Sequence, residues 1–296
     1  MRTLVTGASG FIGYKLVNRL LEEGNLVYAL TRTSLDLKHD NLIIIKGDLL
    51  NINTLIDKPK IDVIFHTSAA ICYEETDVCK SQLTNDNILA TISIIQFADK
   101  NQIKKIIFSS SCSVYDRNYN INNMISESFS LCPYNMYGLT KLAAELIVEN
   151  YAQKENVQII ILRYSSIFGI GQKNNSILPI FINNAIKGND LIIFGSGNRV
   201  QNYVWSDDVV VANMLCIDKI LPKSSVFNIG SSQNITDYDL ALQIKTVWKS
   251  ESEIKILNKY SYSETFLNYD ISAAKTLLNY QPKSLKQGLE LINQAQ

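Results

Sequence analysis

Tyr137 and Lys141 stand four residues apart in PYNMYGLTKLAAE, at the start of a stretch with helical spacing, so both side chains project from one face. A lysine ammonium beside a phenol favours the phenolate and lowers the tyrosine pKa, which lets a tyrosine act as acid or base near neutral pH. Ser111, in FSSSCSVYD, adds a hydroxyl just after an apolar run. The carboxyl edge of such a strand is where doubly wound sheets bind ligands, so Ser111 and Tyr137 are placed to hydrogen-bond one substrate oxygen. Each feature has an ordinary alternative, a solvated helix pair or a serine-rich loop bonding its own backbone. Their combination points to proton transfer.

The scaffold for these side chains begins at the N-terminus. RTLVTGASGFIGYKLVNRL places a buried-strand run ending at Thr6 before Phe11, Ile12, Leu16, Val17 and Leu20 at helical spacing. Gly7, Gly10 and Gly13 therefore occupy a strand-to-helix turn. Glycine lets backbone approach a ligand closely, and the first turn of the helix presents unpaired N–H groups suited to a pyrophosphate. Glycines that only let helix and strand pack would look alike; the strand-and-helix context favours a nucleotide.

Further apolar runs at 25–31, 42–46, 62–66, 104–110 and 157–164 alternate with helical stretches, notably 83–100 and 135–155. The alternation predicts an α/β fold, a doubly wound parallel sheet of Rossmann type with helices on both faces. Beyond residue 168 the rhythm changes. LIIFGSGN reads as hairpin-like, SDDVVVANMLCID as a helix capped by Ser206 or Asp207, and SVFNIG as one more buried strand. The expected division is a dinucleotide-binding domain over residues 1–168 plus about 203–232, and a smaller mixed α/β substrate domain over about 169–202 plus 233–296. The polar segment 117–123 reads as a mobile loop.

Lys and Arg number 28 against 28 Asp and Glu in 296 residues, so electrostatics gives no support to a nucleic-acid or anionic-membrane partner. No apolar run approaches the ~20 residues of a membrane span and no cleavable leader precedes the first strand, which predicts a cytoplasmic protein with a small-molecule partner. Five cysteines without a Cys-x-x-Cys pair, and His39 and His66 far apart, predict no metal site and no disulfide framework.

The chain resembles the extended short-chain dehydrogenase/reductases, in the nucleotide-sugar epimerase/dehydratase branch. The matching pieces are TGASGFIG (6–13), GDL (47–49), HTSAA (66–70), NDNILAT (85–91), SSSCSVY (109–115), YGLTK (137–141), LRYSSIFG (162–169) and SDDV (206–209), with a similar tail over 268–290. The resemblance implies Tyr137 as general acid/base, Lys141 as its electrostatic partner and ribose ligand, and Ser111 as the substrate-oxygen donor. It implies Gly7, Gly10, Phe11, Ile12, Gly13, Leu49, Ser68 and Ala69 around the dinucleotide, Asp48 at the adenine amine, and Asn87 as support for the proton path. It also implies a homodimer built on the two long helices at 83–100 and 135–155.

The second strand ends ALTRTS, where an acidic residue would pair with a free ribose 2′-hydroxyl. Thr31, Arg32 and Ser34 instead form a donor-rich set suited to a 2′-phosphate, which predicts NADP, with NAD as the alternative. An exchanged NADPH in turn favours reduction of a nucleotide-linked keto-sugar over C4 epimerisation with a retained NAD. Family dehydratases resemble one another in an Asp-Glu after the catalytic hydroxyl, whereas Cys112 and Ser113 follow Ser111 here. Cys112 reads as a small buried filler.

The usual arginine that grips the nucleotide diphosphate is replaced by Gln201 and Asn202, with Arg199 two residues away. Ser165 and Ser166 stand where an asparagine is common after the sixth strand. Arg199, Gln201, Ser165 and Ser166 are therefore the expected substrate contacts, and a non-nucleotide carbonyl reductase stays open. A non-catalytic dinucleotide sensor is the alternative of another class; such relatives lose the tyrosine or lysine, and both are present. His66 is read as structural, and Tyr203 and Trp205 as packing.

Overall fold

The computed structural model describes residues 1–56, 60–74, 76–116, 124–172, 176–257 and 267–295. The loop expected to be mobile, 117–123, lies outside them.

The first half alternates strand and helix: β1 (Arg2–Thr6), α1 (Phe11–Glu22), β2 (Leu26–Thr31), β3 (Leu42–Lys46), α2 (Ile52–Leu55) and β4 (Val63–His66). Then come α3 (Asp77–Leu83), a π-helical turn (Thr84–Leu89), α4 (Ala90–Lys100), β5 (Lys105–Ser111), α5 (Met136–Lys154) and β6 (Gln158–Tyr164). The remainder is β7 (Ser166–Phe168), α6 (Ile177–Lys187), β8 (Leu191–Phe194), β9 (Val200–Trp205), α7 (Ser206–Leu215) and β10 (Ser224–Ile229). The chain continues through β11 (Asn234–Thr236), α8 (Asp237–Trp248), β12 (Ile254–Leu257) and α9 (Leu285–Gln294).

Seven strands form one parallel sheet in the order β10-β6-β5-β4-β1-β2-β3. Alternation along each strand divides its apolar side chains between two cores. Val5, Phe65, Ile107, Ile160 and Phe227 meet α1 and α7 on one face. Leu4, Ile64, Ile106, Phe108 and Ile161 meet α4 and α5 on the other. This is the Rossmann-like arrangement the apolar runs predict. A third core joins α6, α8 and α9 to β8 and β9 around Phe168 and Trp205.

Three expectations need correction. The segment at 191–198 is no hairpin: β8 pairs in parallel with β12, and a partner sixty residues away leaves no local signal. Helix α7 is capped by Trp205 without a side-chain bond. Asp207 instead binds Lys15 Nζ at 2.8 Å, and Asp208 accepts from the backbone N of Lys283 at 2.6 Å, so both first-turn acids tie α7 to neighbouring segments. Finally, Cys72 and Cys79 form a disulfide, because the chain folds back between them; an odd cysteine count and a spacing of seven say nothing of such a return. Among the described residues no helix is long and apolar enough to cross a membrane.

Candidate active site

The turn between β1 and α1 is built by its glycines. Gly7 has a φ of +67°, and a Cβ there would lie 2.8 Å from Ser68 Cα. A Cβ on Gly13 would lie 2.2 Å from the Gly7 carbonyl oxygen, so α1 seats on the turn only without a side chain there. Helix α1 begins at Gly10 with no side-chain cap and no acidic residue in its first turn. A helix start left this way suits a pyrophosphate, and the residues here fit a dinucleotide.

At the end of β2, Arg32 is paired with carboxylates. Its Nη1 and Nη2 each donate to a carboxylate oxygen of Asp86 at 3.0 Å, and Asp48 lies 3.8 Å from Nη1. The Thr31 and Thr33 hydroxyls donate to Ser9 Oγ at 2.8 and 2.9 Å. Asp48 also caps the short turn at Leu49–Asn51 by accepting from Leu50 N at 2.9 Å, while Leu49 is buried. Ser68 N donates to Thr6 Oγ1 at 3.2 Å beside Gly7, and Ala69 is exposed next to it.

Asn87 sits buried on the π-helical turn. Its Oδ1 accepts from Ala70 N at 2.8 Å, and its Nδ2 donates to Ala70 O at 3.1 Å and Thr140 Oγ1 at 3.0 Å. The turn thereby clamps the segment after β4 to α5.

Asn135 caps α5 by accepting from Gly138 N at 2.8 Å. A Cβ on Gly138 would fall 2.3 Å from the Ser113 carbonyl oxygen, so the helix start presses onto the turn that carries Ser111. That contact sets Tyr137 near Ser111, whose side chain favours the ionised phenol. Lys141 follows one turn later on the same face, buried, with Nζ donating to Ser109 O at 2.6 Å and lying 4.6 Å from the Phe108 ring centre. The structure thus brings Ser111, Tyr137 and Lys141 together at the carboxyl edge of β5.

The electrostatics differ from the spacing-based expectation. Burial, and after it the neighbouring Tyr73, pushes the Tyr137 phenol above its usual range, with the Ser111 side chain opposing. Burial likewise lowers Lys141 to about 8. Desolvation is the largest influence on both groups, and neither is among the charges that shift the other. His66, held by Thr6 Oγ1 at 2.9 Å and Thr91 Oγ1 at 3.2 Å, is pushed by burial and by Lys141 down to about 3, as befits a structural histidine.

Spacing alone missed the support beneath this centre. Glu145, one turn beyond Lys141, accepts from Ser110 Oγ and pairs with Arg163 Nη2 at 2.7 Å; both ionic side chains are buried. Arg163 also donates to Tyr115 Oη at 3.0 Å, and Tyr115 to Asn228 Oδ1 at 2.6 Å. The Lys141–Glu145 spacing on an otherwise apolar helix face was the available signal. Tyr73, edge-on to Tyr137 with ring centres 5.9 Å apart, carried no signal of its own.

Just before β9, Arg199 is paired with Asp237, with bonds of 2.9 and 3.2 Å. Asn202 turns inward and ties β9 to the Ser231–Asn234 turn, while Gln201, on the opposite strand face, is half-buried. Ser165 is buried with its Oγ unpartnered among the described residues, and Ser166 is exposed. Cys112 is buried, its thiol donating to Arg163 O at 3.3 Å.

Residues 3–230 match the NAD dependent epimerase/dehydratase family. A dTDP-D-glucose 4,6-dehydratase of Dictyostelium discoideum is 30% identical over 82% of this chain, which spans 61% of that relative's length. The structure of a UDP-glucose 4-epimerase from Thermotoga maritima with UDP-glucose superposes with a TM-score of 0.87 at 27% identity, over 98% of this chain and 97% of that one. A UDP-glucuronic acid 4-epimerase from Bacillus cereus in complex with NAD gives 0.83 at 25% identity, over 98% and 96%. The chain belongs to the NAD dependent epimerase/dehydratase family.

Proposed function

We propose that this protein is an NAD-using nucleotide-sugar 4-epimerase, with Tyr137 moving the proton of the sugar hydroxyl. The observation that carries the choice of reaction is the Asp86 carboxylate on both terminal nitrogens of Arg32. It removes the ground for an exchanged NADPH, and with it the reason to rank ketoreduction above epimerisation. Dehydration is disfavoured at the same loop, where Cys112 and Ser113 follow Ser111 and supply no acid to eliminate water.

The glycine turn and the start of α1 hold the pyrophosphate, Asp48 faces the adenine, and Lys141 the ribose hydroxyls. Bound NAD supplies reversible hydride acceptance, so the sugar carbon passes through a ketone and back with no net redox change. Ser111 and Tyr137 hydrogen-bond the sugar oxygen, and the phenolate oxygen of Tyr137 takes the hydroxyl proton as the ketone forms. Lys141, while charged, stabilises that phenolate. The same phenol returns the proton when the ketone is reduced from its opposite face. Gln201, Ser165 and Ser166 face the substrate, with Arg199 beside them.

Residues 1–168 with about 203–232 serve the dinucleotide, and about 169–202 with 233–296 the nucleotide sugar. Two copies pair through α4 and α5, whose neighbourhood exposes Leu89, Leu139 and Leu146. The test is incubation with a panel of UDP- and dTDP-linked hexoses without added cofactor, followed by proton NMR. The expected result is a mixture of C4 epimers. Net consumption of NADPH with a keto-sugar, and no epimer from any hexose, would overturn the reading.

A further inference from the structure

We propose that Asp86, carried on the π-helical turn, makes this protein select NAD over NADP by occupying Arg32 and facing the 2′ position of the adenosine ribose. The inference rests on the dinucleotide reading above and assigns its selectivity to a residue far in sequence from the end of β2.

Arg32 stands where an arginine would read a 2′-phosphate, yet its guanidinium charge is already matched by two carboxylates, Asp86 and Asp48. An exposed ion pair is weak, so Arg32 alone could swing toward a phosphate. The backbone that carries Asp86 does not follow such a movement. Its neighbour Asn87 is buried and fastened by three hydrogen bonds to Ala70 and Thr140, which fixes the turn. The Asp86 side chain is itself 14% exposed, against 56% for Arg32. A 2′-phosphate, carrying close to two negative charges, would therefore meet a carboxylate held at the site by its turn. A 2′-hydroxyl is a donor that a carboxylate accepts, which is the role an acid at the end of β2 would otherwise fill. The nearby Thr31 and Thr33 hydroxyls point to Ser9 and leave the carboxylates to set the local charge.

The test is NADH and NADPH binding, followed by fluorescence on protein freed of co-purifying nucleotide, for the wild type, Asp86→Asn, Arg32→Ala and the double variant. The wild type is expected to bind NADH about tenfold or more tighter than NADPH, and Asp86→Asn to shrink that ratio by about tenfold, chiefly by tightening NADPH. Adding Arg32→Ala should cancel the gain, whereas Arg32→Ala alone should change NADPH binding by less than about twofold. An unchanged ratio in Asp86→Asn, or a selective loss of NADPH binding in Arg32→Ala alone, would overturn the proposal. Failure of every variant to bind either nucleotide would instead overturn the dinucleotide reading, and the proposal with it.

Discussion

Tyr137 and Lys141 reach the site with their protonation set by burial: the phenol is raised and the ammonium lowered to about 8. In the proposed reaction, proton transfer therefore depends on the Ser111 hydroxyl and on a lysine charge held in a dry setting. Tyr137→Phe should lower kcat by about 10²–10⁴-fold while KM and the melting temperature stay near wild type, as steady-state kinetics and calorimetry would show. His66 supplies a stability prediction. Its folded pKa is depressed to about 3 from an ordinary 6.5, so the unfolded chain binds the extra proton and stability falls as pH drops from about 6.5 toward 3. The slope from this group approaches about 1.4 kcal/mol per pH unit, and denaturant titrations of His66→Asn across pH 4–7 should show it removed. At this scale the Tyr137–Lys141 pair was legible because four residues on a helix are neighbours. The partner of Arg32 was not, because Asp86 lies 54 positions further on and no local pattern links them.

The elements act by close approach. Helix α5 delivers Tyr137 because Gly138 lets its first turn rest on the Ser113 carbonyl. Gly138→Ala should cost about 1–3 kcal/mol of stability and lower kcat more than a surface Gly→Ala change, since the new methyl displaces the neighbouring Tyr137 from Ser111. Thermal melts and turnover of the same preparation would check both. The π-helical turn between α3 and α4 has a comparable role, as its register aims Asn87 inward while Asp86 meets Arg32. Apolar periodicity located the helix at 83–100 but shows neither its earlier start at Asp77 nor the turn inside it. Strands β1 to β6 were legible because each is a short apolar run, the exposed edge strand β3 included. The β8–β12 pair was not, since parallel pairing across sixty residues depends on the third core.

At the scale of the whole molecule, two apolar faces of one sheet are closed by helices, and the ligand-binding edge gathers the glycine turn, Ser111 and the start of α5. Alternating strands and helices made that architecture readable, while the pairing of Arg199 with Asp237, 38 positions further on, was not. Light scattering should give twice the 33.3 kDa chain mass, and Leu146→Glu on α5 should shift it toward the monomer. The central claim is that hydride leaves and returns to one sugar carbon while Tyr137 handles the proton. Its most direct test is NMR of a UDP-hexose deuterated at C4 after turnover. Deuterium retained at C4 of the inverted product is the result this account predicts. Deuterium moved to C6 or lost to solvent, or the absence of any inverted product, would contradict it.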